Sequence, residues 1–177
     1  MKVSQLLNQD KVTLSFGVFP PKTGSSYESV AHATQEIAAL RPDFMSVTYG
    51  AGGGTSEHTV NIAADLKKKY DVTVLTHLTC VSSTREHVAA MVKEYKDAGI
   101  GNILALRGDI PEGGAPHSDY HYAAELVRDI KSQGDFCVGG ACYPHAGAYG
   151  DSMAHVLQSV TTRNPARTPD AGHHRRG

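Results

Sequence analysis

Short apolar segments alternate with longer amphipathic segments along residues 1–145. The apolar segments start about 30 residues apart, which is the length of one strand–helix–strand unit. They read LSFGVF from Leu14, FMSVTY from Phe44, VTVLTHLT from Val72, NILALR from Asn102 and FCVGGACY from Phe136. The pattern therefore predicts five strands that are connected by crossover helices.

The intervening segments have the apolar spacing of helices and are rich in good helix formers. The predicted helices cover residues 27–40, 57–70, 85–98 and 120–131. Ser25 with Glu28, and Ser83 with Glu86, match the Ser-x-x-Glu capping box that begins many helices. Gly99 follows the third predicted helix, where a residue with positive φ is preferred.

Several predicted strands, such as residues 103–106, are apolar on both faces. This pattern is typical of parallel strands that helices cover on both sides. We therefore predict an α/β protein with a parallel sheet, which is either an open doubly wound sheet or part of a (β/α)8 barrel.

The composition excludes several classes of protein. With 177 residues, 40% hydrophobic and 20% charged, the chain is expected to be a soluble globule and not a membrane bundle or a disordered protein. A net charge of −1 argues against binding to nucleic acid or to a membrane surface. The odd set of Cys80, Cys137 and Cys142 lacks CxxC spacing, so neither disulfides nor a metal site is expected. The polar N-terminus has no signal peptide pattern, and we expect a cytoplasmic protein.

Polar and aromatic residues lie where the predicted strands end, at the face on which both architectures bind ligands. Taken alone, each has a purely structural explanation: His77 as a core histidine, Arg107 with Asp109 as a local ion pair, residues 51–54 as a turn. Because all five strands deliver such residues to one face, we favour a binding site for a large, flat, polar cofactor. The residues concerned are Phe19, Pro20, Pro21, Lys22, Thr48, Tyr49, Gly50, Ala51, Thr76, His77, Thr79, Arg107, Gly108, Asp109, Cys142, Tyr143 and Pro144.

Five motifs make the chain resemble methylenetetrahydrofolate reductases. In order along the sequence they are SFGVFPPK (15–22), SVTYGAGG (46–53), THLTC (76–80), LALRGD (104–109) and ACYP (141–144). The resemblance implies a (β/α)8 TIM barrel that holds FAD noncovalently at the carboxyl ends of the strands. It also implies NADH or NADPH as reductant, and reduction of 5,10-methylenetetrahydrofolate to 5-methyltetrahydrofolate for methionine synthesis.

The resemblance also implies roles for individual residues. Asp109 matches a catalytic position that tunes the flavin and binds folate, and Thr48 also resembles a nicotinamide contact. The positions that match the flavin site of the family are Thr48, Tyr49, Ala51, His77, Arg107, Gly108, Asp109, Tyr122, Ala123 and Tyr143. No metal is implied.

Gly17 departs from the pattern of the family. The family has a glutamate at this position, and that glutamate acts as the general acid that opens the bridged ring of the folate. General acid catalysis contributes about 10²- to 10⁴-fold, so we expect folate reduction to be slowed by about that factor. Reduction of the flavin by the nicotinamide is expected to depend less on this residue.

The end of the chain departs from the pattern as well. We expect residues 1–145 to be a partial flavin-binding barrel of five βα units and residues 146–177 to be an atypical tail. All lysines lie at or before Lys131, whereas Arg163, Arg167, Arg175 and Arg176 lie near the C-terminus. This change in usage favours a frameshift or truncation, and a natural disordered tail is the alternative.

An incomplete barrel would expose the edges of its first and fifth strands. We then expect homo-oligomers or association through these edges, and weak retention of FAD. Two alternatives to an impaired reductase remain at this point. One is a catalytically inactive barrel fragment that at most binds flavin or self-associates, and the other is a doubly wound nucleotide-binding module, although its glycine fingerprint is missing.

Overall fold

Strands and helices alternate throughout the part of the chain that the computed structural model describes, which is residues 1–21, 27–49, 56–110 and 118–141. The elements are α1 (Val3–Leu7), β1 (Ser15–Val18), α2 (Tyr27–Ala39), β2 (Phe44–Val47), α3 (Ser56–Tyr70), β3 (Val74–Thr79), α4 (Arg85–Asp97), β4 (Asn102–Leu106), α5 (Ala123–Ser132) and β5 (Cys137–Gly140). All five predicted strands and all four predicted helices are therefore confirmed.

The five strands form one parallel sheet in the order β1-β2-β3-β4-β5. Gly17 is paired with Ser46 and Ser46 with Leu75, and further along the sheet His77 is paired with Leu104. A doubly wound sheet reverses its strand order at a switch point, whereas a barrel adds each strand beside the previous one. The sequential order therefore identifies βα units of the (β/α)8 barrel class. Within the described residues, β1 and β5 are the edges of the sheet.

The two faces of the sheet differ in burial. The outer face packs against the helices, and its apolar side chains belong to the main hydrophobic core; they include Met45, Val47, Val74, Leu78, Ile103 and Ala105. The polar side chain of Thr76 is also fully buried on this face. The opposite face, which we call the inner face, includes Gly17, Ser46, Leu75, His77, Leu104 and Gly139. Most of its side chains are only half-buried. In a barrel this face points to the interior, so its side chains surround the region below the ligand site.

Helix α1 is absent from the sequence prediction. It is held by Asn102 at the start of β4, whose Oδ1 accepts a hydrogen bond of 2.8 Å from the Val3 N–H. The Asn102 Nδ2 group donates to the carbonyls of Met1 at 3.2 Å and Val74 at 3.0 Å. A five-residue helix is marginal in isolation, so this long-range anchor explains why it forms.

The start of α4 corrects one sequence prediction. Thr84 is the N-cap, and its side chain accepts a hydrogen bond from the His87 N–H. Ser83, which the capping-box pattern selected, instead donates to the Thr79 carbonyl at 3.1 Å. The capping-box prediction at Ser83 is therefore wrong, because its hydroxyl is already used by the preceding strand. The prediction for Gly99 is confirmed by its φ of +74°.

Candidate functional site

The carboxyl ends of the strands are joined by backbone hydrogen bonds beyond the last paired residues. The Thr48 N–H donates to the Val18 carbonyl at 2.9 Å, and the Val81 N–H donates to the Arg107 carbonyl at 2.8 Å. We call the residues at these strand ends the rim; they are Phe19, Thr48, Tyr49, Thr79, Arg107, Gly108 and Asp109. The structure thus brings most of the predicted site residues to one end of the sheet.

Thr48 and Tyr49 follow β2 and are anchored on the side of the helices. The Thr59 hydroxyl of α3 donates to the Thr48 carbonyl at 3.1 Å. The Tyr49 hydroxyl is hydrogen-bonded to His87 Nε2 of α4 at 2.8 Å. Burial, followed by the negative charge of Glu94, raises the pKa of Tyr49, so its hydroxyl stays protonated at neutral pH.

His77 lies on the inner face near the carboxyl end of β3 and is half-buried. Burial lowers the pKa of His77, so the ring is neutral at pH 7. Its carbonyl accepts a hydrogen bond of 3.2 Å from the hydroxyl of the fully buried Tyr95. The imidazole therefore offers one neutral donor and one acceptor to a ligand at this face.

Arg107, Gly108 and Asp109 leave β4 through a turn that requires glycine. Gly108 has a φ of +85°, and a Cβ atom there would lie 2.6 Å from Val81 Cγ1 and 3.1 Å from Thr79 Cβ. On either side of this glycine, Arg107 is half-buried and Asp109 is exposed. The sequence motif thus places one cation and one carboxylate side by side on the rim.

Two further side chains lie at the end of β3: Thr79, which is one of the predicted strand-end residues, and Cys80, which was not predicted as a site residue. The Thr79 hydroxyl is buried and has no hydrogen-bond partner within the described parts of the chain. Cys80 is buried next to it, and its thiol donates to the Arg107 carbonyl at 3.6 Å. Burial raises the pKa of Cys80 to about 11, so the thiol is neutral and is not an activated nucleophile.

Tyr122 and Ala123 lie at the start of α5, with Tyr122 exposed. The helix begins later than predicted because the Glu125 carboxylate accepts hydrogen bonds from the N–H groups of His121 at 2.7 Å and Tyr122 at 3.2 Å. Burial opposes ionisation of Glu125, but these two hydrogen bonds, together with electrostatic attraction to His121 and Arg85, lower its pKa. The carboxylate therefore fixes the backbone that presents Tyr122.

A cluster of Arg85, Tyr120 and Asp129, which we call the clasp, joins the start of α4 to α5. Arg85 forms an ion pair with Asp129, and its guanidinium carbon lies 5.0 Å from the centre of the Tyr120 ring. The Tyr120 hydroxyl donates to Asp129 Oδ2 at 2.8 Å. The Asp119 carboxylate also accepts a hydrogen bond of 2.9 Å from the Arg85 N–H. Together these contacts hold the segment before Tyr122 against the start of α4.

Gly17 is exposed on β1, at the inner face. A Cβ atom at this position would meet only Ser46 Oγ, at 3.5 Å, which is an ordinary van der Waals contact. The structure therefore has room for a side chain at residue 17, and glycine itself has no proton donor in a side chain. Ala51 and Tyr143, which were also predicted as site residues, lie outside the described residues.

The rim and the inner face fit a large polar organic cofactor. The rim carries a guanidinium group at Arg107 and a buried, unsatisfied hydroxyl at Thr79, and the inner face carries a neutral imidazole at His77. Sites of this kind combine a broad surface with a few convergent polar groups.

Within the described ranges no group of three His, Cys, Asp or Glu side chains could hold a metal ion. The helices described there are all too short or too polar to cross a membrane.

The comparisons with known proteins agree with the motifs. The sequence profile of the family "Methylenetetrahydrofolate reductase" matches residues 2–163. The 5,10-methylenetetrahydrofolate reductase of Pectobacterium carotovorum is 39% identical over 137 residues, which are 77% of this chain and 45% of that protein. The methylenetetrahydrofolate reductase 1 of Schizosaccharomyces pombe is 36% identical over 173 residues, which cover 90% of this chain and 28% of that protein. The chain thus spans less than half the length of these curated relatives.

The solved structures support the fold alone. The aldolase QR15 has a TM-score of 0.55 at 12% sequence identity, and the match covers 86% of this chain and 67% of that chain.

The family match extends past residue 145, the boundary that the sequence predicts before an atypical tail. Residues 142–177 lie outside the described residues, so this boundary stays a prediction.

Proposed function

Because the chain belongs to the methylenetetrahydrofolate reductase family, we propose that it binds FAD noncovalently across the rim and the inner face. NADH or NADPH reduces this flavin, and the substrate is 5,10-methylenetetrahydrofolate, which becomes 5-methyltetrahydrofolate. The observation that carries the proposal is that Thr48, His77 and Asp109, from three different strands, share one end of the sheet. When bound, FAD supplies the group that accepts and releases hydride.

The described residues are assigned different contacts with FAD according to their chemistry. The main chain at Thr48 and Tyr49 supplies hydrogen-bonding groups at the end of β2, and the neutral imidazole of His77 supplies a donor and an acceptor on the inner face. Arg107 is the cation that meets a phosphate oxygen. Tyr122 and Ala123 extend the site along the start of α5, and Ala51 and Tyr143 complete the proposed set.

Asp109 is the residue that we assign to the reaction itself. Its carboxylate is exposed on the rim directly after Gly108. A negative charge beside the flavin opposes the additional negative charge of the reduced ring, so Asp109 makes the flavin harder to reduce. The same carboxylate accepts hydrogen bonds from the donor groups of the folate. We therefore expect a change at Asp109 to affect both the flavin potential and the folate half-reaction.

One observation favours a second candidate function, a flavin-binding chain that transfers hydride to folate poorly. Gly17 has no proton to give, and the neighbouring group on β2 is the hydroxyl of Ser46. Within the part of the chain that the structure describes, β1 and β5 are edge strands, and such edges favour self-association. Light scattering of the purified protein measures this association directly.

The two candidates are separated by assays of the full chain with added FAD. Oxidation of NADH or NADPH is measured first with menadione as acceptor and then with methylenetetrahydrofolate. A reductase gives both activities, and the second candidate gives only the menadione activity. Asp109→Asn should shift the flavin potential and lower folate reduction, whereas Asp97→Asn, which changes an exposed carboxylate paired with Lys93 on α4, should do neither. Absence of FAD binding, or equal behaviour of the two variants, would contradict the proposal.

A further inference from the structure

The side chain of Tyr49 lies on the side of the sheet that the helices cover. Val47, two residues earlier, is fully buried on the outer face, and side chains alternate between faces along an extended chain. The Tyr49 ring packs against the core cluster, and its hydroxyl reaches His87 of α4 at 2.8 Å. Tyr49 can therefore contact a ligand at the rim only through its main chain.

The preceding residue, Thr48, is held from two other directions. Its carbonyl accepts a hydrogen bond of 3.1 Å from Thr59, whose side chain is completely buried on α3. Its N–H donates to the Val18 carbonyl of β1 at 2.9 Å. Residues 48 and 49 are thus hydrogen-bonded to β1, α3 and α4. The bonds to β1 and α3 are made by the main chain of Thr48, whereas the bond to His87 of α4 is made by the side chain of Tyr49.

We propose that His87 is a positioning residue, which holds the Tyr49 hydroxyl and thereby keeps the main chain of Thr48 and Tyr49 in place at the cofactor rim. This inference rests on the proposed function. His87 itself lies on α4, on the side of the sheet that the helices cover, so we assign it no direct contact with the cofactor. Its own N–H donates to Thr84, and this helix cap does not depend on the side chain at residue 87. Replacement of the imidazole therefore removes the anchor and leaves the cap in place.

The first test needs no cofactor. Hydrogen exchange of the Thr48 N–H reports opening of its bond to Val18, and the Cys80 N–H, which donates to Leu106 at 3.0 Å, is an internal reference on a neighbouring strand end. A neutral hydrogen bond contributes about 0.5–1.5 kcal/mol, so His87→Ala should accelerate exchange at Thr48 by about 2- to 10-fold. Exchange at Cys80 should not change. Unchanged exchange at Thr48 would overturn the inference.

The second test measures the dissociation constant of FAD by fluorescence titration, under conditions where every variant is folded. His87→Ala and Tyr49→Phe should each weaken FAD binding by about 2- to 10-fold, and the double variant should be no weaker than either. His87→Gln keeps a side-chain donor and acceptor and should recover most of the affinity. The matched control is His32→Ala, which removes an exposed histidine from α2.

The outcomes distinguish the inference from the proposed function. If the unmodified chain does not bind FAD, the proposed function fails, and hydrogen exchange alone still decides whether His87 anchors Thr48. If the unmodified chain binds FAD and His87→Ala binds it equally well, the inference is overturned while the proposed function stands. Independent, additive effects of His87→Ala and Tyr49→Phe would also overturn it, because the two groups would then not act through one hydrogen bond.

Discussion

Asn102 and Val3 are 99 positions apart in the sequence, yet the Val3 N–H donates a hydrogen bond of 2.8 Å to Asn102 Oδ1. The same side chain also donates to carbonyls of Met1 and Val74. It is only 3% exposed, so the amide is screened from water while it joins α1 to β3 and β4. One polar side chain therefore organises the amino-terminal end of the sheet, opposite the rim.

We expect Asn102→Ala to lower the free energy of unfolding by about 1–3 kcal/mol, because it leaves buried backbone groups without partners. Urea denaturation followed by circular dichroism measures the effect. Asn61→Ala is the matched control, since Asn61 is exposed on α3 and alanine is a better helix former. Equal unfolding midpoints for the two variants would show that the Asn102 contacts contribute nothing.

Substitution of Gly99, Gly101 and Gly108 by alanine distinguishes the cost of a positive φ from the cost of a steric clash. A Cβ atom at Gly101 or Gly99 meets nothing within 4 Å, but Gly99 has a φ of +74°. Gly108 combines a φ of +85° with a contact of 2.6 Å to Val81. Gly101→Ala should therefore be nearly neutral, Gly99→Ala should cost about 1–2 kcal/mol, and Gly108→Ala should cost more. Thermal unfolding of the three variants gives the order, and a smaller loss at Gly108 than at Gly99 would contradict the geometry.

The clasp should act as a coupled unit. Tyr120 and Arg85 both contact Asp129, so Tyr120→Phe and Asp129→Asn should show an interaction energy of about 0.5–3 kcal/mol in a double-mutant cycle of stability. The exposed pair of Lys93 and Asp97 on one helix is the comparison, for which about 0.3–0.5 kcal/mol is expected. A coupling in the clasp no larger than in that pair would mean that its three groups act independently.

The sequence predicted the strands and the rim well because the signals for both are local. Each strand is a continuous apolar segment, and each rim residue follows such a segment within a few positions, so parallel pairing alone brings Thr48, His77 and Asp109 to one end of the sheet. The choice between a barrel and a doubly wound sheet required the strand order. That order depends on contacts between strands, which no single segment contains.

The contacts missed by the sequence analysis are those that depend on distant partners. Arg85 and Asp129 are 44 positions apart, and Asn102 looks like an ordinary polar residue at the start of a strand. The error at Ser83 has the same origin, since two adjacent hydroxyls could cap α4 and the carbonyl of Thr79 decides between them. Hydrogen bonds between a side chain and a distant element therefore cannot be predicted from periodicity or from short motifs.

His77 predicts a dependence of stability on pH. Because burial lowers its pKa in the folded protein, the unfolded chain binds more protons between the folded pKa and the ordinary value of about 6.5. Stability should therefore rise with pH through this window, level off above it, and be lost as the pH falls. In urea titrations at pH 8 and pH 5.5, His77→Gln should lose less stability on acidification than the unmodified chain. An identical loss in both proteins would exclude His77 as a source of the dependence.

Because the family resemblance implies a general acid at residue 17, Gly17→Glu is expected to increase folate reduction selectively, by up to about 10²- to 10⁴-fold. The substitution fits, since the new Cβ atom meets only Ser46 Oγ at 3.5 Å and the residue is exposed on the inner face. Gly17→Gln is the control, because it has nearly the same size and cannot give up a proton as a carboxylic acid does. Reduction of menadione by NADH or NADPH should be similar in all three proteins. Equal folate reduction by the Glu and Gln variants would show that residue 17 acts through packing and not as a general acid.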